Sequence, residues 1–529
     1  MKALTHPLSL ALFSGILFYL GWPTLGFPLF LFFAFVPLLL AENTLRNTKN
    51  SGLKIFGLAY LSFLIWNFST TAWLYYASLF GVLIAVLVNS LLMTLVFLLF
   101  HWVAKKSTPK IYWPFFISIW LVFEKMHLHW EFSWPWLNLG NGFSEYPSWI
   151  QWYEYTGTFG GSLWILIVNI LFFNLIQTYL KEKRFPFQKL RPLFLWLLVP
   201  LLYSFYLYQN YTITGTQKEV ILLQPNVDPY TEKYSKSNTE VIVGLLEQTQ
   251  EKITPNTHYI IAPETVLAEN IPYENFQFSV GKNLLHRFMN QYPKSSFLLG
   301  IDTYDILYHK ALTNPASNQV EENIWVNFYN SGLYISNNAP LQKYNKSKLV
   351  VGVENLPYKP FFEPILKNYM IDLGGTMSTK TTQQERSVFT DKDGTKIAPV
   401  ICYESVYGEY VTGYAKNKAD FLAIITNDAW WNETQGHLQH LSLARLRAIE
   451  TRKDIARSAN TGISAFINQK GEITQKTKYN QKTSLIGKVS LNQKETFYVQ
   501  HGDYIARIAL FLAAVLLLVA FTKRKPIIG

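Results

Sequence analysis

Two long uncharged runs open the chain: residues 8–41 and 55–104 contain no Asp, Glu, Lys or Arg. A membrane crossing takes about 20 predominantly apolar residues, so each run predicts two helices joined by a turn. Gly21-Trp22-Pro23 breaks the first run, and Ser78 to Gly81 is the expected turn in the second. Further apolar stretches at 111–126, 158–180, 192–210 and 504–522 bring the expectation to seven helices before a polar middle and one after it. No small-x-small cleavage site follows the first apolar run, so residues 8–20 read as a helix rather than a removable leader. From 218 onward the period changes. Short β-like runs (Glu219–Gln224, Tyr259–Ala262, Phe297–Ile301, Ile397–Cys402, Phe421–Thr426) alternate with helical stretches at 238–252, 281–291, 405–417 and 436–453. Such alternation predicts an α/β layered domain. The expected division is a membrane domain at 1–217, an α/β domain at 218–503, and a last helix with a basic tail at 504–529.

Composition sharpens this division. Only 16% of the 529 residues are charged and 49% are apolar, which excludes disorder, and one Cys excludes a disulfide framework. The net charge of +12 would suit nucleic acid if it were concentrated on a polar domain. It is not: residues 1–217 carry +7, 504–529 carry +4 and the polar middle only +1. Lys2, Arg46, Lys49, Lys54, Lys105, Lys106, Lys110, the 181–191 loop and Lys523-Arg524-Lys525 supply the basic residues, while loops 21–28, 77–81 and 127–157 have none. Basic loops stay in the cytoplasm, so both termini are expected inside and the 218–503 domain outside. Loop 127–157 is dense in aromatics, among them Trp130, Trp134, Trp136, Phe143, Trp149, Trp152 and Tyr153. An interfacial belt is the ordinary expectation for these rings, and a lipid-binding floor is the sharper one.

Chemistry is sought at strand ends, where polar groups converge without breaking a sheet. Glu264 follows YIIA-Pro, Cys402-Tyr403-Glu404 follows IAPVI, and Asn427-Asp428-Ala429-Trp430 follows FLAIIT. Lys346, in Tyr344-Asn345-Lys346, opens a loop leading to Glu354. Taken singly, Cys402 is a small buried hydrophobe, Glu264 a helix-start residue and Lys346 a solvated amine. His127/His129 and His437/His440 suggest a metal, but no third ligand type adjoins them in sequence, so structural roles are expected. G-x-S-x-G, H-E-x-x-H, Walker A and G-x-G-x-x-G motifs are absent from the sequence.

The order Pro263-Glu264, Tyr344-x-Lys346, Cys402-Tyr403-Glu404 resembles the Glu–Lys–Cys set of the carbon–nitrogen hydrolase (nitrilase) superfamily. A domain of that kind between seven helices and one resembles the apolipoprotein N-acyltransferases within it. Gln224-Pro225-Asn226, the Lys346-to-Glu354 spacing, Asn427 to Trp430, Ala444-Arg445 to Glu450, Asn460-Thr461-Gly462, Trp134-Pro135-Trp136 and Gly157 to Ser162 extend the likeness. The chain departs from the family's usual run before Glu354, reading Val350-Val351-Gly352-Val353, and has Lys233-Tyr234 where Lys-Trp is common.

The resemblance implies about eight membrane helices plus a nitrilase-like αββα sandwich. It also implies transfer of a phospholipid sn-1 acyl chain, typically from phosphatidylethanolamine, to the α-amino group of the diacylglyceryl N-terminal Cys of an apolipoprotein. Glu264, Lys346 and Cys402 are then the expected catalytic residues. Glu354, Tyr403, Glu404, Asn427, Trp430 and Tyr234 are the expected supporting or substrate-binding ones. Neither metal nor cofactor is implied. A monomer in the cytoplasmic membrane is expected, with lipid and lipoprotein as partners and no nucleic acid. Residues 355–373, with Leu356, Phe361, Phe362, Ile365, Leu366, Tyr369 and Met370 among prolines, are a candidate lid. Two other readings stay open: a membrane-tethered amidase of the nitrilase type, and a non-enzymatic transporter or scaffold. The near absence of charge inside the N-terminal crossings disfavours a transport path.

Overall fold

The computed structural model describes residues 6–77, 79–337, 339–359, 361–362 and 379–522. Lys2, Lys523-Arg524-Lys525, Ser78 and, in the candidate lid, Ile365, Leu366, Tyr369 and Met370 lie outside the described residues. The chain divides into a helical unit, residues 1–73, 82–210 and 501–529, and a second unit, residues 74–81 and 211–500.

In the helical unit, Pro7–Leu20 ends at Gly21, and the next apolar stretch is interrupted. A 3-10 turn at Pro28–Phe32 and a helix at Val36–Leu45 flank a break held by Asn169, which accepts from the Phe35 N–H at 2.9 Å and donates to Leu31 O at 2.8 Å. Helices Ser51–Thr71, Asn89–Lys106, Pro109–Met126, Thr158–Glu182, Leu190–Asn210 and Tyr504–Thr522 complete the unit. Six of the described helical segments are long and apolar enough to cross a membrane. Pro7–Leu20, at 14 residues, and Pro109–Met126, which carries Glu124 and Lys125, fall outside that group.

Both charged side chains of the latter helix are engaged within the unit. Glu124 accepts from the Ser162 hydroxyl at 2.6 Å and the Leu139 N–H at 2.7 Å, and Lys125 meets Asp503 at 2.8 Å. Several rings of the 127–157 loop are core rather than belt: Trp136, Phe143 and Tyr153 are buried. Phe143 stacks on Trp164, and the Tyr153 hydroxyl donates to Gly140 O. Three short 3-10 turns shape the loop, and its rings pack against those of the helical unit: Phe143 also meets Phe32, and Trp136 meets Trp73.

The second unit holds two sheets. One runs in the order Thr483–Ser490, Gln217–Gln224, Thr257–Ile261, Ser296–Leu307, Ile324–Ile335, Asn318–Glu321, with Leu267–Pro272 and Gln342–Asn345 beside it. The other orders Ile473–Lys476, Ala465–Ile467, Ile455–Ala459, Phe421–Thr426, Lys396–Ile401 and Phe389–Thr390. Strand alternation assigns the faces. Val220 and Leu222 pack with Val400, Ile424 and Ile467 between the sheets. Ile221 and Leu223 face the other way, onto Ile242, Leu245, Leu285 and Met289 of helices Asn238–Gln250 and Val280–Gln291. Helices Gly408–Lys416 and Gln435–Thr451 supply Val411, Tyr414, Leu441 and Ala444 to the core that includes the second sheet. The result is a helix–sheet–sheet–helix sandwich.

Candidate active site

Three strand ends and one loop build the site. Glu264 follows strand Thr257–Ile261, where the chain hugs its neighbour: Ala262 N–H donates to Leu298 O and Gly300 N–H donates to Pro263 O at 3.0 Å. The approach requires glycine at 300, because a Cβ there would lie 2.3 Å from Thr265 N and 2.6 Å from Glu264 Cα. Lys346 extends the pairing of Gln342–Asn345 with Ile324–Ile335, its N–H donating to Asn330 O at 2.8 Å. Cys402 ends strand Lys396–Ile401 at a positive φ of 49°, uncommon for a residue with a side chain, as the chain enters a 3-10 turn. A non-glycine residue held this way is a recurring feature of functional sites.

The side chains meet at short range. Lys346 Nζ is 2.8 Å from Glu264 Oε1 and 2.8 Å from Glu354 Oε2. Asn330 donates its amide N–H groups to Glu264 Oε1 at 2.7 Å and Glu354 Oε1 at 2.9 Å. Asn427 N–H caps the other Glu264 oxygen at 3.1 Å, and Val350 N–H donates to Glu354. All of these side chains are buried or nearly so. Burial alone would lower the Lys346 ammonium, but Glu264, Glu354 and Cys402 hold it well above the usual lysine range. Burial would raise the Glu354 carboxyl, yet Lys346 and the Val350 N–H keep it low. The Cys402 thiol is pushed well up by burial and by the charge of Glu264, with Lys346 and the Thr426 hydroxyl opposing. The resting site is therefore an ion pair beside a neutral thiol.

The expected supporting residues separate into groups. Glu404 accepts from the Tyr344 hydroxyl (2.6 Å), Ser347 N–H (2.7 Å), Ile401 N–H (2.8 Å), and the Tyr410 and Tyr414 hydroxyls. It thus ties the Lys346 loop to the Cys402 turn. Tyr403 is buried edge-on to Tyr407. Asn427 also accepts from Asn460 Nδ2 at 3.2 Å. Tyr234 is largely exposed and Trp430 half-buried; both rings lie 5.5 Å from Lys233 Nζ.

Asn330 is a site residue that strand-end reasoning misses, since it lies inside a strand. The expectation that no other ligand type gathers around the histidines is corrected for His440. The neighbouring strands Lys396–Ile401 and Phe421–Thr426 bring Cys402 and Asp428 to it, with donor atoms within 4.8 Å of one another. Two of those groups are already engaged. Asp428 meets Arg457 at 2.6 Å and His440 at 3.0 Å, and His440 Nε2 faces Ser405 Oγ and Cys402 O. Burial would raise the Asp428 carboxyl, but Arg457 and His440 hold it well below the carboxylate range. A guanidinium already balances this carboxylate, so the set suits a buried ion pair bracing the Cys402 turn better than a cation site.

Comparison with known proteins agrees with this architecture. The carbon–nitrogen hydrolase profile matches residues 315–497, and the profile of the apolipoprotein N-acyltransferase N-terminal domain matches residues 14–171. An apolipoprotein N-acyltransferase of Chlorobaculum tepidum is 28% identical over 99% of this chain and 98% of its own. One of Wigglesworthia glossinidia brevipalpis is 27% identical over 80% of each chain. Among solved structures, a nitrilase-superfamily member from Saccharomyces cerevisiae covers 55% of this chain and 95% of its own at 15% identity, with a TM-score of 0.36. The chain is a multi-pass membrane enzyme with a carbon–nitrogen hydrolase domain. It is similar along nearly its whole length to apolipoprotein N-acyltransferases, and its activity is that of an N-acyltransferase.

Proposed function

We propose that the enzyme moves the sn-1 acyl chain of a phospholipid, phosphatidylethanolamine foremost, to the α-amino group of a diacylglyceryl N-terminal Cys by way of a thioester on Cys402. The observation that carries this reading is the buried Glu264–Lys346 pair whose charges act on the Cys402 thiol. Because the resting thiol is neutral, it loses its proton as it attacks, and Glu264 receives it. Sulfur bonds to the ester carbonyl carbon, and Lys346 balances the oxyanion that forms there. As the C–O bond breaks, Glu264 returns the proton to the departing lysophospholipid oxygen. The acceptor amine then attacks the thioester, gives its proton to Glu264, and leaves as the amide while sulfur regains a proton. Glu354 and Asn330 position Lys346 and Glu264; Glu404 positions the two loops.

The catalytic unit, assigned to 218–503, works outside the cytoplasmic membrane, with 1–217 and 504–529 as its helical anchor and both termini inside. The basic loops support that orientation. It acts as a monomer on two lipid substrates presented at the bilayer. Tyr234, Trp430, Tyr403 and Asn427 line the substrate side. Phe361 and Phe362 belong to a lid. Phe361 is exposed, its ring edge-on to Phe362 at 4.9 Å.

The test is incubation of the purified enzyme with phosphatidylethanolamine and a diacylglyceryl peptide, followed by mass measurement. One acyl unit added to the peptide, one lysophospholipid formed, and an acyl mass on Cys402 when the peptide is withheld are expected. Full activity in Cys402→Ala, or ammonia as the product, would end this reading.

A further inference from the structure

Lys233 is more than nine-tenths buried, yet its ammonium meets no carboxylate within ion-pair distance among the described residues. Its one hydrogen bond goes to a neutral group, the Thr265 hydroxyl, at 2.6 Å. An ammonium carries three donors, so two are left with no protein acceptor among the described residues. A buried charge in that state is expensive unless something pairs with it.

Its surroundings adjoin the reaction site. Thr265 directly follows Glu264 and is held at φ 43°, a left-handed conformation unusual for a β-branched residue. The rings of Tyr234 and Trp430 flank the ammonium, and Tyr230 packs edge-on against Trp430. Aromatic faces attract a cation without satisfying its N–H groups directionally. The nearby carboxylates are engaged elsewhere: Asp302 with Lys380, and Glu264 with Lys346. Burial draws the Lys233 ammonium down, with Asp302 and Glu264 opposing, so an arriving anion would strengthen its charged form.

We infer that Lys233, with Thr265 and the Tyr234–Trp430 rings, binds the phosphodiester of the acyl donor, setting the enzyme's preference for phospholipid over neutral glycerolipid. The inference rests on the proposed acyl transfer and deepens it. A phosphodiester is a permanent oxyanion at neutral pH, and in a glycerophospholipid it is separated from the sn-1 ester only by the glycerol carbons. Lys233 adjoins the turn that carries Glu264, so one lipid can place its phosphate on Lys233 and its ester at Cys402. The diacylglyceryl end of the acceptor has no phosphate, so the cation discriminates in the first half-reaction only.

The experiment measures acylation of Cys402 by intact mass in the full-length enzyme, with phosphatidylethanolamine or with diacylglycerol of the same chains. The quantity read is the ratio of the two rates in wild type, Lys233→Met and Lys233→Arg. Lys233→Met should cut the ratio roughly 10–100-fold, the weight of a buried charge-assisted hydrogen bond, and Lys233→Arg should keep most of it. A ratio unchanged within twofold in Lys233→Met overturns the inference, as does an equal fall in Lys233→Arg. Inhibition by inorganic phosphate that vanishes in Lys233→Met while the ratio stands would assign the cation to free phosphate, and also overturns it. Wild-type enzyme that forms no acyl mass from either lipid refutes the acyl-transfer reading itself, a separate result.

Discussion

The Lys346 ammonium lies 2.8 Å from a Glu264 oxygen with both side chains buried, so the proposed base and the proposed oxyanion donor begin the reaction as one ion pair. The pair is held by Asn330 and Asn427. A buried pair contributes little net stability, but losing one member leaves an uncompensated charge. Lys346→Met should therefore cost about 3–5 kcal/mol by urea unfolding. It should also cost ~10²–10³ in acyl-transfer rate. A rate loss without a stability loss would show that the two carboxylates are not held by the ammonium. The pH dependence follows from Glu354, whose folded carboxyl is low against an ordinary 4.5. Its contribution is whole above the ordinary value and is lost as pH falls through the folded one. On acid titration the unfolding midpoints of wild type and Glu354→Gln should stay offset above that ordinary value and converge as pH falls below it.

Glu264 has two opposed effects on Cys402, and a single substitution separates them. Its charge raises the thiol, while its carboxylate is the proposed acceptor of the thiol proton. Glu264→Gln should therefore shift the pH profile of iodoacetamide labelling toward lower pH and at the same time reduce acyl transfer by ~10²–10⁴. If labelling and turnover fall together, Glu264 shapes the site rather than moving a proton.

Asn330 donates to both carboxylates and carries the carbonyl that receives the Lys346 N–H. Asn330→Leu should lower stability by about 1–3 kcal/mol, since both acceptors lose a buried donor. Asn330→Asp should be worse in rate than Asn330→Leu, because it places a third carboxylate against two others. Steady-state kinetics with both variants decides. Equal losses would mean that the side chain only fills space.

The contrast between Glu264 and Asn330 shows what the chain reveals before it folds. Glu264 and Cys402 stand where an apolar strand gives way to polar residues, a boundary visible in one dimension. Asn330 lies in the middle of Ile324–Ile335, among Asn327 and Ser331, where one amide looks like another. Its role arises only because Gln342–Asn345 pairs with that strand and delivers Lys346 beside it. The Asp428–His440–Arg457 group is hidden for the same reason, its members coming from a strand end, a helix and a neighbouring strand. The break at Gly21 was legible, because helix punctuation is local, whereas the turn expected at Ser78 to Gly81 is corrected: Leu79–Leu83 is helical, and the irregular stretch lies earlier, in the 3-10 segment Ala72–Tyr76. The burial of Trp136 and Phe143 was not legible, because an aromatic-rich loop reads alike whether it faces lipid or the protein's own core.

Gly300 offers the sharpest test of how closely the site is built. It sits in strand Ser296–Leu307 opposite Gly332, and Pro263, Glu264 and Thr265 occupy the space that a Cβ would need. A methyl group at 300 would have to share space with backbone atoms at 2.3–2.6 Å, and none of them is a flexible side-chain end. Either the strand or the Glu264 turn must yield, at a cost of about 1–3 kcal/mol for overpacking. The strand is paired along both sides, so the turn should move. Displacement of a reacting group by about 1 Å can cost ~10² in rate. Gly300→Ala should thus lose roughly that much acyl transfer while its Cys402 still labels with iodoacetamide, and Gly332→Ala, whose Cβ would meet nothing nearer than 3.7 Å, should retain activity. Equal activity in the two alanine variants would show that Glu264 does not depend on the close approach of this strand.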